Sequence, residues 1–232
     1  MLTRLVRVAT SSNVRCSRSL ALRALQSREK SSLSSLLKRE IREEKANSLE
    51  PSELEDLQGK VEKVFKLKET SGCMDVVLQG SVGDDSIKIK FNVQNTVDLE
   101  EDEDYDEEEE EGDVEVEQDD DEDEDELPGV RFTADVIRAN KGLQFDCLAG
   151  SNLTVERVRY LHDFAKEAED ESLYFGPNFI DLELDVQEQF YNYLAERKID
   201  DELAQFISQF ADLKEQREYL AFLECAEDFV KH

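Results

Sequence analysis

The sequence predicts an α+β fold, an antiparallel sheet of seven strands with one N-terminal helix and two to three C-terminal helices. Three observations carry this. Apolar and polar residues alternate through several successive short runs between residues 65 and 184, and turn residues separate those runs. Apolar spacing of three and four residues appears only at the two ends. Strands in near-hairpin succession give an antiparallel meander, and helices at its ends must cover one of its faces.

The elements follow in order. Ser32 is placed to cap a helix through Leu33, Leu36, Leu37 and Ile41, with Lys38, Arg39, Glu40, Arg42, Glu43 and Glu44 on its wet side. Pro51 and Gly59 bracket a polar connection. Phe65 and Leu67 then alternate with Lys66 and Lys68, Met74 to Leu78 reads as a second strand, and Gly80 to Asp85 as a turn. Ile87, Ile89, Phe91 and Val93 make a third strand with one buried face. Val130, Phe132, Ala134 and Val136 make the fourth, and after a turn at Asn140, Lys141 and Gly142 the fifth runs through Leu143, Phe145 and Cys147. Leu153, Val155 and Val158 suggest a sixth strand, and Ile180, Leu182 and Leu184 a seventh. Asp185 with Glu188, and Asp212 with Glu215, are spaced as capping boxes, so helices are expected to start at each. Between them Leu203, Phe206, Ile207 and Phe210 mark another helix. Leu33, Leu37 and Ile41 of the first helix are expected to pack against Phe222, Leu223, Phe229 and Val230 of the last.

One segment breaks the meander. Between Asp98 and Glu126, 23 of 29 residues are Asp or Glu, and no Lys or Arg occurs from Asn92 to Val130. Taking these 23 acids from the chain's 58 leaves 35 against 28 Lys and Arg, so the net charge of −30 is concentrated in the insertion. Self-repulsion with so little apolar surface predicts a solvated, extended loop over residues 98–127. At that length its r.m.s. span would be roughly 30 Å. Its candidate partner-binding residues are Glu100, Glu101, Asp102, Glu103, Asp104, Asp106, Glu107, Glu108, Glu109, Glu110 and Glu111, then Asp119, Asp120, Asp121, Glu122, Asp123, Glu124, Asp125 and Glu126. Basic proteins are the natural ligands, whereas nucleic acid would be repelled.

The N-terminus has the opposite character. Residues 1–28 hold six arginines (Arg4, Arg7, Arg15, Arg18, Arg23, Arg28) and no acid before Glu29. On a helical projection Arg4, Arg7, Arg15 and Arg18 share one arc, with Leu2, Val6 and Leu20 roughly opposite. An amphipathic, Arg- and Ser-rich, acid-free leader reads as a mitochondrial transit peptide over residues 1–30, followed by a single domain over residues 31–232. These arginines interrupt any run long enough to span a membrane. Cys16, Cys73, Cys147 and Cys225 form no CxxC pair, which suits a reducing matrix, and Cys147 and Cys225 are expected in the core.

Catalytic patterns are not visible. His162 and His232 have no nucleophile or metal partner by spacing, and no glycine pattern builds a phosphate cradle. Asp102, Asp104 and Asp106 imitate the start of a calcium-binding loop, but its sixth position is Glu107 rather than Gly and its twelfth is Asp113 rather than Glu. The expectation is a non-enzymatic protein without cofactor or metal centre.

The order of elements resembles the mitochondrial acidic matrix protein family, also called the mitochondrial glycoprotein family, which includes the complement component 1q-binding protein. The likeness is carried by the stretch Lys38 to Glu44, by Phe132 to Arg138 and Leu143 to Cys147, and most specifically by Tyr191 to Asp200, Glu218 to Glu224 and Phe229 to Lys231. It spans roughly residues 31–232. The chain departs from the family in having no Trp and in the continuity of its acidic run. The resemblance implies a strongly twisted sheet, a ring-shaped homotrimer and a matrix location. It further implies an adaptor or chaperone that binds basic RNA-binding and ribosomal proteins and supports RNA processing, translation and oxidative metabolism. A nuclear histone-type acidic chaperone and a weak divalent-cation buffer are the alternatives; the arginine-rich leader argues against the nuclear one.

Overall fold

The computed structural model describes residues 33–47, 52–97, 129–170 and 172–231. The leader, Ser32 and the acidic residues Glu100 to Glu126 lie outside these. The chain divides into two compact units, one formed by Leu54–Gln209 and the other by the part up to Glu53 together with Phe210 onward.

The larger unit is an antiparallel meander in strict sequence order. Its strands are β1 (Phe65–Lys68), β2 (Asp75–Val82), β3 (Asp85–Val97), β4 (Gly129–Arg138), β5 (Lys141–Ala149) and β6 (Leu153–Leu161). Register places Val76, Phe91, Phe132, Cys147 and Val155 in one row across the sheet, and Leu78, Ile89, Ala134, Phe145 and Val158 in the next. These positions are buried, as the period-two pattern requires. Two-residue turns fix that register. Val82 pairs with Asp85 around Gly83, at φ 60°, and Arg138 pairs with Lys141 around Ala139 and Asn140, at φ 48° and 63°.

Helix α4 (Leu184–Ala195) lays Phe190 and Tyr193 on the core face, their ring centroids 5.9 and 6.5 Å from that of Phe145. The longest helix, α5 (Asp201–Val230), begins in this unit, where Leu203, Ala204, Phe206 and Ile207 are fully buried. Asp201 Oδ1 accepts from the Leu153 backbone N–H at 2.9 Å, and Gln205 donates to the Ser151 carbonyl at 2.9 Å, tying the helix start to β6.

Four expectations need correction. Six strands are described where seven were expected. Near the seventh, only an isolated bridge joins Arg157 to Asn178. The chain then enters a 3-10 turn, Phe179–Asp181, and Ile180 and Leu184 are 83% and 81% exposed, so the apparent alternation there marked surface residues. The stretch between Pro51 and Gly59 is not a simple connection but belongs to α2 (Ser52–Val61). Leu54, Leu57 and Val61 keep helical spacing, and Gly59 is exposed, where a missing side chain costs little packing. The proposed caps are displaced. Asp185 lies one residue inside α4, whose N-cap is Glu183, and Asp212 is buried within α5, so the two expected last helices are one. Cys225 is exposed rather than in the core.

The smaller unit is a helix pair, α1 (Leu33–Ala46) and the part of α5 from Phe210 onward. Ser34 donates to Glu227 at 3.1 Å near one end, and Gln216 donates to the Asn47 carbonyl at 3.3 Å near the other, so the helices run antiparallel. Leu223 is buried, while Leu37 and Ile41 are half-buried.

Candidate functional site

Three surfaces could receive a partner. The first is the foot of the acidic insertion. Its described ends, Val97 and Gly129, are paired in register, and Thr96 pairs with Val130. The ladder between β3 and β4 is therefore closed where the chain departs and returns, so the insertion leaves the sheet without unpicking it. The register shifts between Phe91 and Thr96, where four β3 residues face Arg131 alone. The acidic residues themselves lie outside the described residues.

Beside this bulge opens the second surface, a cleft of about 930 Å³ on the non-core face of the sheet, lined in part by Lys90, Asn92, Arg131, Asp146, Glu156 and Arg157. Its charges are largely matched. Arg131 Nε lies 3.2 Å from Glu156, and Asn92 donates to Asp75 at 2.7 Å. Burial raises the Asp146 carboxyl above its usual range.

One row further across this face runs a chain of buried polar groups. Arg159 Nε donates to Gln144 Oε1 at 2.6 Å, and Gln144 Nε2 donates to Asp135 Oδ1 at 2.8 Å. Arg159 also donates to the Ala168 carbonyl at 2.7 Å and stacks over Phe175, 4.8 Å from its centroid. The short helix α3 (Phe164–Glu167) and the residues after it thus close over the polar face. Burial holds the Asp135 carboxyl above the usual carboxylate range, with the Gln144 hydrogen bond opposing. Lys88, its cross-strand neighbour, is pushed down by burial and by Lys90. From sequence these residues were simply the wet side of the strands. The clue was that both charge signs occupy one row, Lys88, Asp135 and Arg159, with Gln144 between them.

A buried ion pair holds the end of α4. Asp85 is 3% exposed and receives Arg138 at 2.7 Å and Arg197 at 2.8 Å. These guanidiniums hold its carboxyl below the usual range against the cost of burial. Arg197 further donates to the Tyr193 carbonyl at 2.8 Å and lies over that ring. This is structural chemistry. Cys147 is buried, which pushes its thiol up and away from the reactive thiolate. His162 sits at the surface with its ring edge-on to Tyr160. Among the described residues no group of three or more His, Cys, Asp or Glu could hold a metal, and no helix is long and apolar enough to cross a membrane.

The third surface is the helix pair, and it departs from expectation. Of the residues expected to pack there, Leu223 is buried, but Leu33 is 58% exposed, Phe222 62%, Phe229 84% and Val230 36%. A belt of ion pairs joins the two helices. Lys45 lies 2.6 Å from Glu224, Lys38 lies 3.4 Å from Glu227, and Lys231 also contacts Glu227.

A meander, helices at both ends and a registered strand pair around an acidic insertion match a known family. The family model described as mitochondrial glycoprotein matches residues 37–230. The chain belongs to the mitochondrial glycoprotein family. Mitochondrial acidic protein mam33 of Schizosaccharomyces pombe is 31% identical over 184 residues, covering 72% of this chain and 68% of that protein. Two solved structures share the fold. A Leishmania major protein of unknown function, described as a sequence homologue of human p32, has a TM-score of 0.60 at 18% identity, covering 87% of this chain and 99% of its own. The Trypanosoma brucei p22 protein has a TM-score of 0.60 at 21% identity, covering 85% and 96%. The mitochondrial glycoprotein family is a family of mitochondrial acidic proteins, and a matrix location is consistent with it. No catalytic function accompanies these matches.

Proposed function

We propose that this chain is a non-catalytic acidic adaptor of the mitochondrial matrix, which holds Lys- and Arg-rich client proteins, RNA-binding and ribosomal ones among them, and so supports RNA processing, translation and oxidative metabolism. The observation that carries this is the insertion, 23 acids in 29 residues, set between Val97 and Gly129 on a closed strand ladder. The fold bears the polyanion without depending on it.

At physiological salt the Debye length is about 8 Å, so unpaired charges held off a folded surface reach a partner first and steer it in. Binding by this route is fast, broad in sequence and steeply weakened by salt. The family resemblance adds a homotrimer, in which three insertions would raise the effective concentration for a client with several basic patches. The arginine-rich, acid-free leader adds removal of residues 1–30 on import.

Replacing Glu107–Glu111 with glutamine keeps length and polarity while removing five charges. Titrated with a matrix RNA-binding protein, this variant should bind more weakly and with a shallower salt dependence. Unchanged affinity and slope would make the insertion a spacer. A fusion of residues 1–30 to a fluorescent reporter should enter mitochondria; diffuse cytosolic signal would refute the leader.

A further inference from the structure

Two bulges flank the cleft beside the foot of the insertion. One is the shift on β3 between Phe91 and Thr96. The other lies on β6, where Asp146 pairs with Arg157 and Cys147 with Val155, so that Glu156 is the extra residue. A bulge re-aims the side chains next to it. Here Glu156 and Arg157, neighbours in the chain, both line the cleft. Glu156 is taken up by Arg131 at 3.2 Å. Arg157 stands across from Asp146, and Asp146 points to the cleft because Phe145 and Cys147, on either side of it, are buried in the core.

Opposite charges at facing positions of antiparallel strands, with Cα atoms about 4.5–5.5 Å apart, ordinarily meet. These two do not. Among the described residues neither the Asp146 carboxylate nor the Arg157 guanidinium has a hydrogen bond or an ion pair. Asp146 is half-buried, where a carboxylate without a donor is costly. Burial raises it above its usual range although Arg159 and Arg157 oppose. Lys90 lies in the same row beyond Thr133, and its ion pair is a 3.5 Å contact with Glu169, itself 89% exposed. The floor therefore presents an acceptor without a donor beside cations without a firm acceptor.

That pattern selects the ligand. A lone cation on Asp146 would lie against Arg157 and Lys90, and a lone anion on Arg157 would lie against Asp146 and Glu156. A group with both signs on one short backbone meets the pair together. Its ammonium donates to Asp146 and its carboxylate accepts two N–H groups from Arg157. The volume of about 930 Å³ falls within the roughly 300–1,000 Å³ of small-molecule sites and leaves room beyond the charged ends. Ile180, 83% exposed, supplies an apolar wall at the rim.

We infer that this cleft binds a small zwitterion, a free α-amino acid or a short peptide with both ends free, held between Asp146 and Arg157. The site goes beyond the adaptor reading and does not depend on the acidic insertion.

The test is calorimetry on the full chain with each standard L-amino acid, and with dileucine and trileucine. At least one should bind with a Kd of about 1 mM or tighter, and the tighter class, amino acid or peptide, identifies the source. For that ligand, acetylating the amine or amidating the carboxylate should each weaken binding at least tenfold. Asp146→Asn and Arg157→Gln should each do the same, with circular dichroism showing that both variants are folded. Absence of binding by every ligand, equal binding of blocked and free forms, or wild-type affinity in both variants overturns the inference. So does a change in particle mass on light scattering of either variant, since the cleft would then be a contact between copies. The Glu107–Glu111 glutamine variant should bind the zwitterion as the wild type does, whatever its hold on basic clients, so the two readings fail separately.

Discussion

The two halves of α5 carry the same kind of pattern and meet opposite fates. From Leu203 to Ile207 the apolar positions Leu203, Ala204, Phe206 and Ile207 are each at most 1% exposed. Beyond Phe210 the helix keeps its periodicity with Tyr219, Phe222, Leu223, Ala226, Phe229 and Val230, yet Leu223 alone of these is buried. Charge follows the same divide in reverse. Asp212, Lys214 and Glu227 are buried in the second half, Lys214 reaching Glu218 at 2.9 Å. An apolar stripe therefore shows that a face exists, not that the chain itself covers it. In the first half the cover is the domain core. In the second, half the stripe remains available.

Substitutions can break or sharpen this contrast, and the core half should give the largest effect. Phe206→Ala leaves a cavity where the side chain is fully buried and should cost about 3–5 kcal/mol in urea unfolding. Next comes the ion pair at the end of α4. Arg197→Ala strands the Asp85 carboxylate with Arg138 alone and should cost about 3 kcal/mol. The pH dependence has a definite sign. Asp85 is depressed in the folded state, so its stabilisation is present above the unfolded carboxylate pKa of about 3.9 and is lost as pH falls through the folded value. Arg197→Ala should therefore flatten the acid limb of the stability curve.

In the second half, Leu223→Ala removes the one buried apolar side chain of its stripe and should cost about 2–3 kcal/mol, the low end for such changes. Phe229→Ser, about half a helical turn beyond Glu227 and 84% exposed, should change stability by less than about 0.5 kcal/mol. A large loss for Phe229→Ser would mean this face is covered in solution. Smallest of all, the Glu107–Glu111 glutamine variant should leave the urea midpoint of the sheet unchanged, because the ladder closes at Val97 and Gly129.

The α+β class, the meander and its burial pattern were legible in the sequence because side-chain alternation is locally encoded. Ile87, Ile89 and Phe91 had to share a face whatever lay across from them. The acidic insertion was equally plain, since charge density needs no fold to be read. The six-strand count was not, because exposed Ile180 and Leu184 alternate like core residues, and nothing local says whether a neighbour covers them. The helix over Ser52–Val61 was not read either, because Pro51 and Gly59 read as brackets of a polar connection, although Leu54, Leu57 and Val61 keep helical spacing.

What the sequence determined alone was periodicity, turn chemistry and the placement of charge, because each depends on neighbours along the chain. Tertiary structure decided which stripes are covered and which charges are paired. Asp85 meets Arg197 across 112 residues, and Asp135 reaches Arg159 only through Gln144 on the intervening strand. Phe222 and Phe206 are both apolar positions of one helix, and only three-dimensional packing separates a buried residue from an exposed one.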